Sequence, residues 1–459
     1  MRSEDQMTAL KILTEEATGI SVETAPNEVK RQAALCIIDT VGCMIAGTRT
    51  EEAGLILCCE PGDSDASEVT IPGTNWRRGL VAGIRINGYL GDVLELNDLI
   101  GGHASIGIVS VSLALAEKID ASGSALLEAV MRGIETTARV YDAVYPRLKR
   151  FTDVGIVPVG APSAIGAAAA ASRLLELNSE STLHAMAIAG GLAGWCPAEV
   201  IFGSGGTMKP LLFGTQPAEA GLTGALYARN GMTGPADLLD SKVGFFATTS
   251  NGGQLERLVG TRRWALQNPR RKIHACCGYI HAAADAIGKL RSQFGNAALQ
   301  GEVVVHVAPY VADVVGKTSA PISANDARFH LQYCAALVFC GFDVILPEHS
   351  IGFDAYLSRP DVAKALERIR VVPSPSLTHY HQCEVFLEFE GKPVAKQVVS
   401  APRGSPGEPL TEQDVVDKFF RLASPVIGDP ATSGFLHRAE QLEQSESIDP
   451  MMQALTQMS

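Results

Sequence analysis

Three short stretches carry side chains able to move a proton or hold an anion. In ELNDLIGGHASIG, residues 95–107, a single imidazole, His103, follows a loop of small residues and trails Glu95, Asn97 and Asp98. Histidine titrates near neutrality, so it can take or give a proton there. Two placements fit it: the cap of the apolar helical run that follows, or the wall of a ligand site. GTMKPLLFG sets Lys209 among small and apolar residues, with few acids nearby in sequence. Taken out of water, such a lysine loses basicity and can act as a base; kept charged, it can pair with a substrate carboxylate. On the surface it would only snorkel. NPRRKIHACCGYIHAAADAIGKL carries Arg270, Arg271 and Lys272, then His274 and His281. The helix is expected to begin near Gly278, with His281 in its first turn. Basic residues leading into a helix N-terminus suit an anion; the same run also fits a solvated connector.

Other chemistries lack their signatures. HYHQC would put His379, His381 and Cys383 on one face of a strand, but no carboxylate or second cluster completes a ligand set, so no metal is expected. There is no G-x-x-x-x-G-K-[ST], no strand-led G-x-G-x-x-G and no G-x-S-x-G. The ten cysteines form no C-x-x-C pair, which reads as reduced thiols rather than a disulfide framework. A net charge of −12 argues against nucleic acid as a partner. An anionic substrate would therefore need a local basic pocket. No stretch has the roughly 18 apolar residues of a membrane span, and MRSEDQMTALKILTEE lacks a signal-peptide core. No membrane partner and a cytoplasmic location are expected.

These residues must be positioned by a chain of 459 residues, long enough for two domains. Forty-five glycines and many alanines suggest helices packed closely through small residues. Residues 1–265 read as helix after helix; NEVKRQAALCIIDTVGCMIAG has helical apolar spacing and ends at Gly47, a candidate C-cap. After Asn268 the pattern changes. QGEVVVHVAPYVADVV and CEVFLEFEGKPVAKQVVSA read as strands, the second interrupted by a Gly-Lys turn, with helical runs between them. LTEQDVVDKFFRLASP returns to helix, with Thr411 as N-cap. The expected fold is mainly α. A large all-helical domain is built from both chain ends, residues 1–265 and 402–459, and a smaller α+β lid domain, 266–401, is inserted between them.

Five segments in this order resemble the MmgE/PrpD family over nearly the whole chain: CIIDTVGCMIAG, ELNDLIGGHASIG, MKPLLFGTQPAEAGLTGALYARNGMTGP, DARFHLQYCAALVFCG and GKPVAKQVVSAPRGSPGEPLTEQDVVDKFF. The family includes 2-methylcitrate dehydratase, cis-aconitate decarboxylase and iminodisuccinate epimerase. The resemblance implies a homodimer with its site between the helical domain and the lid, without metal or organic cofactor. It places His103, Lys209 and His281 at catalytic positions and Lys272 at the basic residue before the last histidine. Asn97 and Asp98 fall where the family usually carries an Asp-Asp pair, and are expected against the substrate. Two departures stand out. In GIVPVGAPSAIG, Val157 occupies the place of a family histidine, and YVADVVGKTSAP gives no clear lid tyrosine, Tyr310 falling several residues early. The implied activity is that of a cofactor-independent lyase, a dehydratase or decarboxylase. It would act on a small anionic polycarboxylate by proton abstraction beside a carboxylate. Lys209 and Lys272 would offset the enolate-like charge, and His103 and His281 would move protons. The thinner acid inventory at Val157 raises an epimerase as the alternative. A non-catalytic dimer that binds polycarboxylates is the third reading.

Overall fold

The computed structural model describes residues 7–456, apart from 61, 63–68, 151–152, 205 and 260–263. Residues 1–6, which open the stretch read as lacking a leader, lie outside the described residues. Helices dominate, as the apolar spacing predicts. Asn27–Gly47, Leu80–Asp92, Ala104–Lys118, Gly123–Val144, Gly160–Leu174 and Gln216–Arg229 gather around one core. Ala104–Lys118 is buried on every side through Glu117, which is why its sequence is apolar without a polar stripe. From the far end of the chain, Glu412–Ile427 brings Val415, Phe419 and Leu422 into that same core. Thr411 caps this helix by accepting from the Asp414 backbone N–H, and Asp414 answers from its side chain.

A second core gathers residues between Cys276 and Val399. The helices His281–Phe294 and Leu331–Phe339 pack with a four-stranded sheet in the order Ile369–Pro373, Glu302–Val307, Cys383–Phe389, Lys392–Val399. The first pair is parallel and the other two are antiparallel. Val303, Val305, Val385 and Leu387 alternate into the core, as the pleat requires.

Four local expectations are corrected. QGEVVVHVAPYVADVV is not one strand: it stops at Val307, and Pro309 opens the helix Pro309–Val315, a position where its missing N–H costs nothing. The hairpin turns at Glu390–Gly391 rather than Gly-Lys, both residues having positive φ (50° and 74°), the geometry that matches strand twist. Gly47 is the last helical residue and Thr48 the C-cap; the glycine is required because a Cβ there would collide with the Leu90 carbonyl. His379 to His381 form a turn, and the strand begins only at Cys383.

Close approach through glycine also builds the site. A side chain on Gly214 would run into the Gly88 carbonyl. Their contact seats the π-helical turn Leu211–Thr215, just after Lys209, on the helix ending at Asp92. Among the described residues no single helix is long and apolar enough to cross a membrane.

Candidate active site

A cavity opens between the two cores. Leu99, Gly102, His103, Tyr141 and Tyr145 line one side, and Cys277, Gly278, Tyr279, Phe329 and Tyr380 the other, with Lys209, Phe213 and Arg270 between them. Burial pushes the Cys277 thiol up to about 12, so it stays protonated.

The floor is a network of charges taken out of water. Past Asp92 the chain turns through Glu95, whose φ of 53° is left-handed for a non-glycine residue, a strain that persists only where the surroundings hold it. They do so here. Lys272 donates to the Glu95 carbonyl at 3.0 Å and to its Oε2 at 2.8 Å, and Lys209 pairs with Oε1. Lys209 also donates to Asp92 Oδ1 at 2.8 Å and stands 4.4 Å above the Phe213 ring. Burial works against charge on Glu95, but the two lysines outweigh it and lower its pKa. Burial likewise opposes charge on Lys272, yet Glu95 raises its pKa overall. Asp92, wholly enclosed, is pushed up by desolvation. The acids missing beside Lys209 in sequence are supplied in space by Asp92 and Glu95, which stand within ion-pair distance of its buried amine.

His103 stands at the N-cap position of Ala104–Lys118 but makes no capping hydrogen bond. Its Nδ1 lies 2.6 Å from Asn97 Oδ1 instead. The Asn97 amide donates through Nδ2 to Asp92 Oδ1 (2.7 Å) and to the Gly91 carbonyl (3.4 Å), both of which can only accept. Its oxygen therefore faces His103, and His103 Nδ1 must carry the proton. Nε2 is left with a lone pair on a ring that lines the cavity. Burial, then Lys209 and Lys272, lower the His103 pKa well below the ordinary histidine value, so the ring is neutral at neutral pH.

The structure brings His103 and Lys209 together on one cavity, both against Phe213. The other expected residues stand further back. Asn97 and Lys272 lie behind the wall, acting on His103 and Glu95. Asp98 does not face the cavity; it accepts from the Ile100 N–H at 3.2 Å and from the Ser105 hydroxyl, and burial pushes its carboxyl up to about 6. His281 opens its helix behind the Cys277–Tyr279 wall, its ring edge-on to His274 at 5.0 Å and its Nε2 buried without a partner among the described residues. Val157 is buried in an apolar cluster with Cys196, Leu212 and Phe213, and the neighbouring Pro158 and Val159 give the cavity an apolar wall. Tyr310 sits behind Tyr279, ring against ring at 5.6 Å.

Sequence reasoning missed the acids that fix the lysines and the groups on the wall. Arg270, whose carbonyl accepts from the Leu99 N–H at 2.8 Å, reaches the Tyr380 hydroxyl at 3.3 Å, and no carboxylate of the described residues pairs with it. The one signal available was its place in the basic run before His281.

Residues 11–258 match the MmgE/PrpD N-terminal domain and residues 274–444 the MmgE/PrpD C-terminal domain. The chain belongs to the MmgE/PrpD family. Among curated MmgE/PrpD relatives, a cis-aconitate decarboxylase-like protein of Aspergillus oryzae is 25% identical over 95% of this chain and 94% of its own. The cis-aconitate decarboxylase of Homo sapiens is 25% identical over 93% and 90%. An alkylcitrate dehydratase of a fungal species is 24% identical over 85% and 83%.

Proposed function

We propose that this protein is a lyase acting on a small polycarboxylate, with His103 as the base. The observation that carries the reading is the Asp92–Asn97–His103 chain. It fixes a neutral imidazole with its Nε2 lone pair available, beside cations able to stabilise negative charge. Relatives named as a cis-aconitate decarboxylase and an alkylcitrate dehydratase support the substrate class. His103 would take the proton from the carbon next to a carboxylate, the electron pair moving onto that carboxylate. Expulsion of hydroxide then completes a dehydration; in a decarboxylation no C–H bond is broken first, and the C–CO₂ bond breaks, CO₂ leaves, and the electron pair left on carbon takes up one proton. These steps are acid–base chemistry alone and call on no cofactor. Arg270, on the wall without a salt bridge, takes a substrate carboxylate, while Lys209 and Lys272 hold the floor. His281 has no direct contact in this arrangement.

The apolar wall at Pro158 and Val159 favours one second reading. Epimerisation returns the proton to the opposite face of the same carbon and needs no acid at a leaving oxygen. Incubation in D₂O with hydroxy, unsaturated and amino polycarboxylates separates the two. A new vinyl proton or released CO₂ supports the lyase, and deuterium uptake without net conversion supports the epimerase. Binding by calorimetry with neither outcome would leave only a polycarboxylate-binding protein. His103→Gln should lower kcat by about 10²–10⁴-fold with the fold intact.

A further inference from the structure

Tyr145 caps the end of the helix Gly123–Val144 and lines the cavity. Its hydroxyl lies 2.8 Å from Nε2 of His379, which sits in the turn before the strand Cys383–Phe389. The direction of that bond is decided two residues further on. The His381 backbone N–H, which can only donate, points at His379 Nδ1 at 3.1 Å. Nδ1 therefore carries a lone pair, and the proton of the neutral ring is on Nε2. His379 Nε2–H must donate to the Tyr145 oxygen, which leaves the phenol's own proton for another acceptor. The ring is held in place: Tyr380 stacks on His379 at 4.6 Å, and Tyr141 stacks on Tyr145 at 5.3 Å. Burial lowers the His379 pKa and raises that of Tyr145, so both groups keep the neutral form that this bond requires.

The cavity has a use for such a donor. Its wall at Pro158–Val159 offers no polar side chain, and the two lysines of the floor are already engaged by Asp92 and Glu95. Resting on the reading of this cavity as a polycarboxylate site, we propose that Tyr145 is a neutral hydrogen-bond donor to the charge developing on the substrate, and that His379 is its positioning residue. The hydroxyl donates without surrendering its proton. Because Tyr145 ends a helix of the first core and His379 belongs to a turn leading into the second, the donor is aligned only where the two cores meet.

The test uses the full-length protein with cis-aconitate and citrate as probes, beside His103→Gln. Tyr145→Phe should lower kcat about 10²-fold with KM changed less than about threefold, the loss expected of one charge-stabilising donor. His379→Leu should cost about tenfold, whereas His379→Gln, whose amide can still donate, should stay within about threefold of wild type. The double variant Tyr145→Phe/His379→Leu should be no slower than Tyr145→Phe, because His379 acts only through the phenol. Wild-type kcat in Tyr145→Phe, or losses that multiply in the double variant, would overturn the assignment. Loss in His103→Gln with none in Tyr145→Phe overturns this pair and spares the base; the reverse pattern overturns the base and spares the pair. Nitrogen-15 NMR of labelled histidines reads the tautomer without any turnover: His379 should show a protonated Nε2 and a bare Nδ1, and the opposite tautomer sinks the proposal.

Discussion

On the floor of the cavity the lysines pair directly with carboxylates, Lys209 and Lys272 against Asp92 and Glu95, whereas on the wall Arg270 bonds the Tyr380 hydroxyl and feels Asp142 only at longer range. Both regions are basic in sequence, yet they serve different ends. Desolvated charges on the floor offset each other, and the product is geometry: a strained Glu95, an oriented Asn97 and one tautomer of His103. The wall keeps a guanidinium and several phenols without a carboxylate in direct contact, and the product is capacity to bind. Counting cations in a pocket therefore does not measure its affinity for an anion; counting unpaired ones does.

The largest effect should come from breaking the floor. Glu95→Gln keeps the size of the side chain but turns one of its two acceptor oxygens into an NH2 that faces a lysine, and leaves two buried lysines with one acid between them. Removing one partner from a buried pair costs about 3–5 kcal/mol, so the urea midpoint should fall markedly and activity with it. A midpoint equal to wild type would mean that the floor is not one network.

A milder cut leaves the charges alone and loosens only the base. Asn97→Ala removes the acceptor that holds His103 Nδ1–H, while Lys209 still pairs with Asp92. Outer hydrogen-bond partners of this type are typically worth about 10–100-fold, so kcat should fall in that range with little change in KM. If KM rose and kcat did not, Asn97 would be contacting substrate rather than orienting the base.

How much of this contrast was legible in the sequence differs between the regions. The helical fold was, because core helices such as Ala104–Lys118 write their burial directly into composition. His103 and Lys209 were visible as unusual polar residues in small or apolar surroundings. Their partners were not, since Asp92 lies 117 positions from Lys209 and local acid content says nothing about acids brought over by packing. Asp98, an acid in the same loop, looked equally able to meet substrate, but its side chain turns back to Ser105 and the Ile100 N–H. The wall was hidden for a different reason. Tyrosines in helical runs have the pattern of core residues, and HYHQC imitates a strand although it folds as a turn that delivers His379 to Tyr145.

Arg270→Lys tests the wall without altering its charge. The ammonium loses the planar fork that can grip a carboxylate at two points. A rise in KM of about tenfold is expected, equivalent to about 1.4 kcal/mol of binding, with kcat nearly preserved. An unchanged KM would move the carboxylate site elsewhere and remove the functional distinction between wall and floor.

The smallest expected effect is a shift in pH dependence, and it tests whether the floor acts on His103 electrostatically as well as geometrically. The groups facing the ring are Lys209, Lys272, Glu95, Asn97 and Phe213; burial and the two lysines depress its pKa, and Glu95 opposes them. A base must be neutral to work, so activity is lost as pH falls through that depressed pKa. The acid limb of kcat/KM should therefore lie below the ordinary histidine range in the wild type. Lys209→Met removes the cation that contributes most among the charges and also leaves Glu95 less neutralised. Both changes favour the protonated imidazole, so the limb should move upward, by about one pH unit for each 1.36 kcal/mol of interaction removed. The residual activity of the variant, followed from acid to neutral pH, gives the answer. A limb that stays in place or moves down would show that His103 is not the titrating base, whatever the loss in rate.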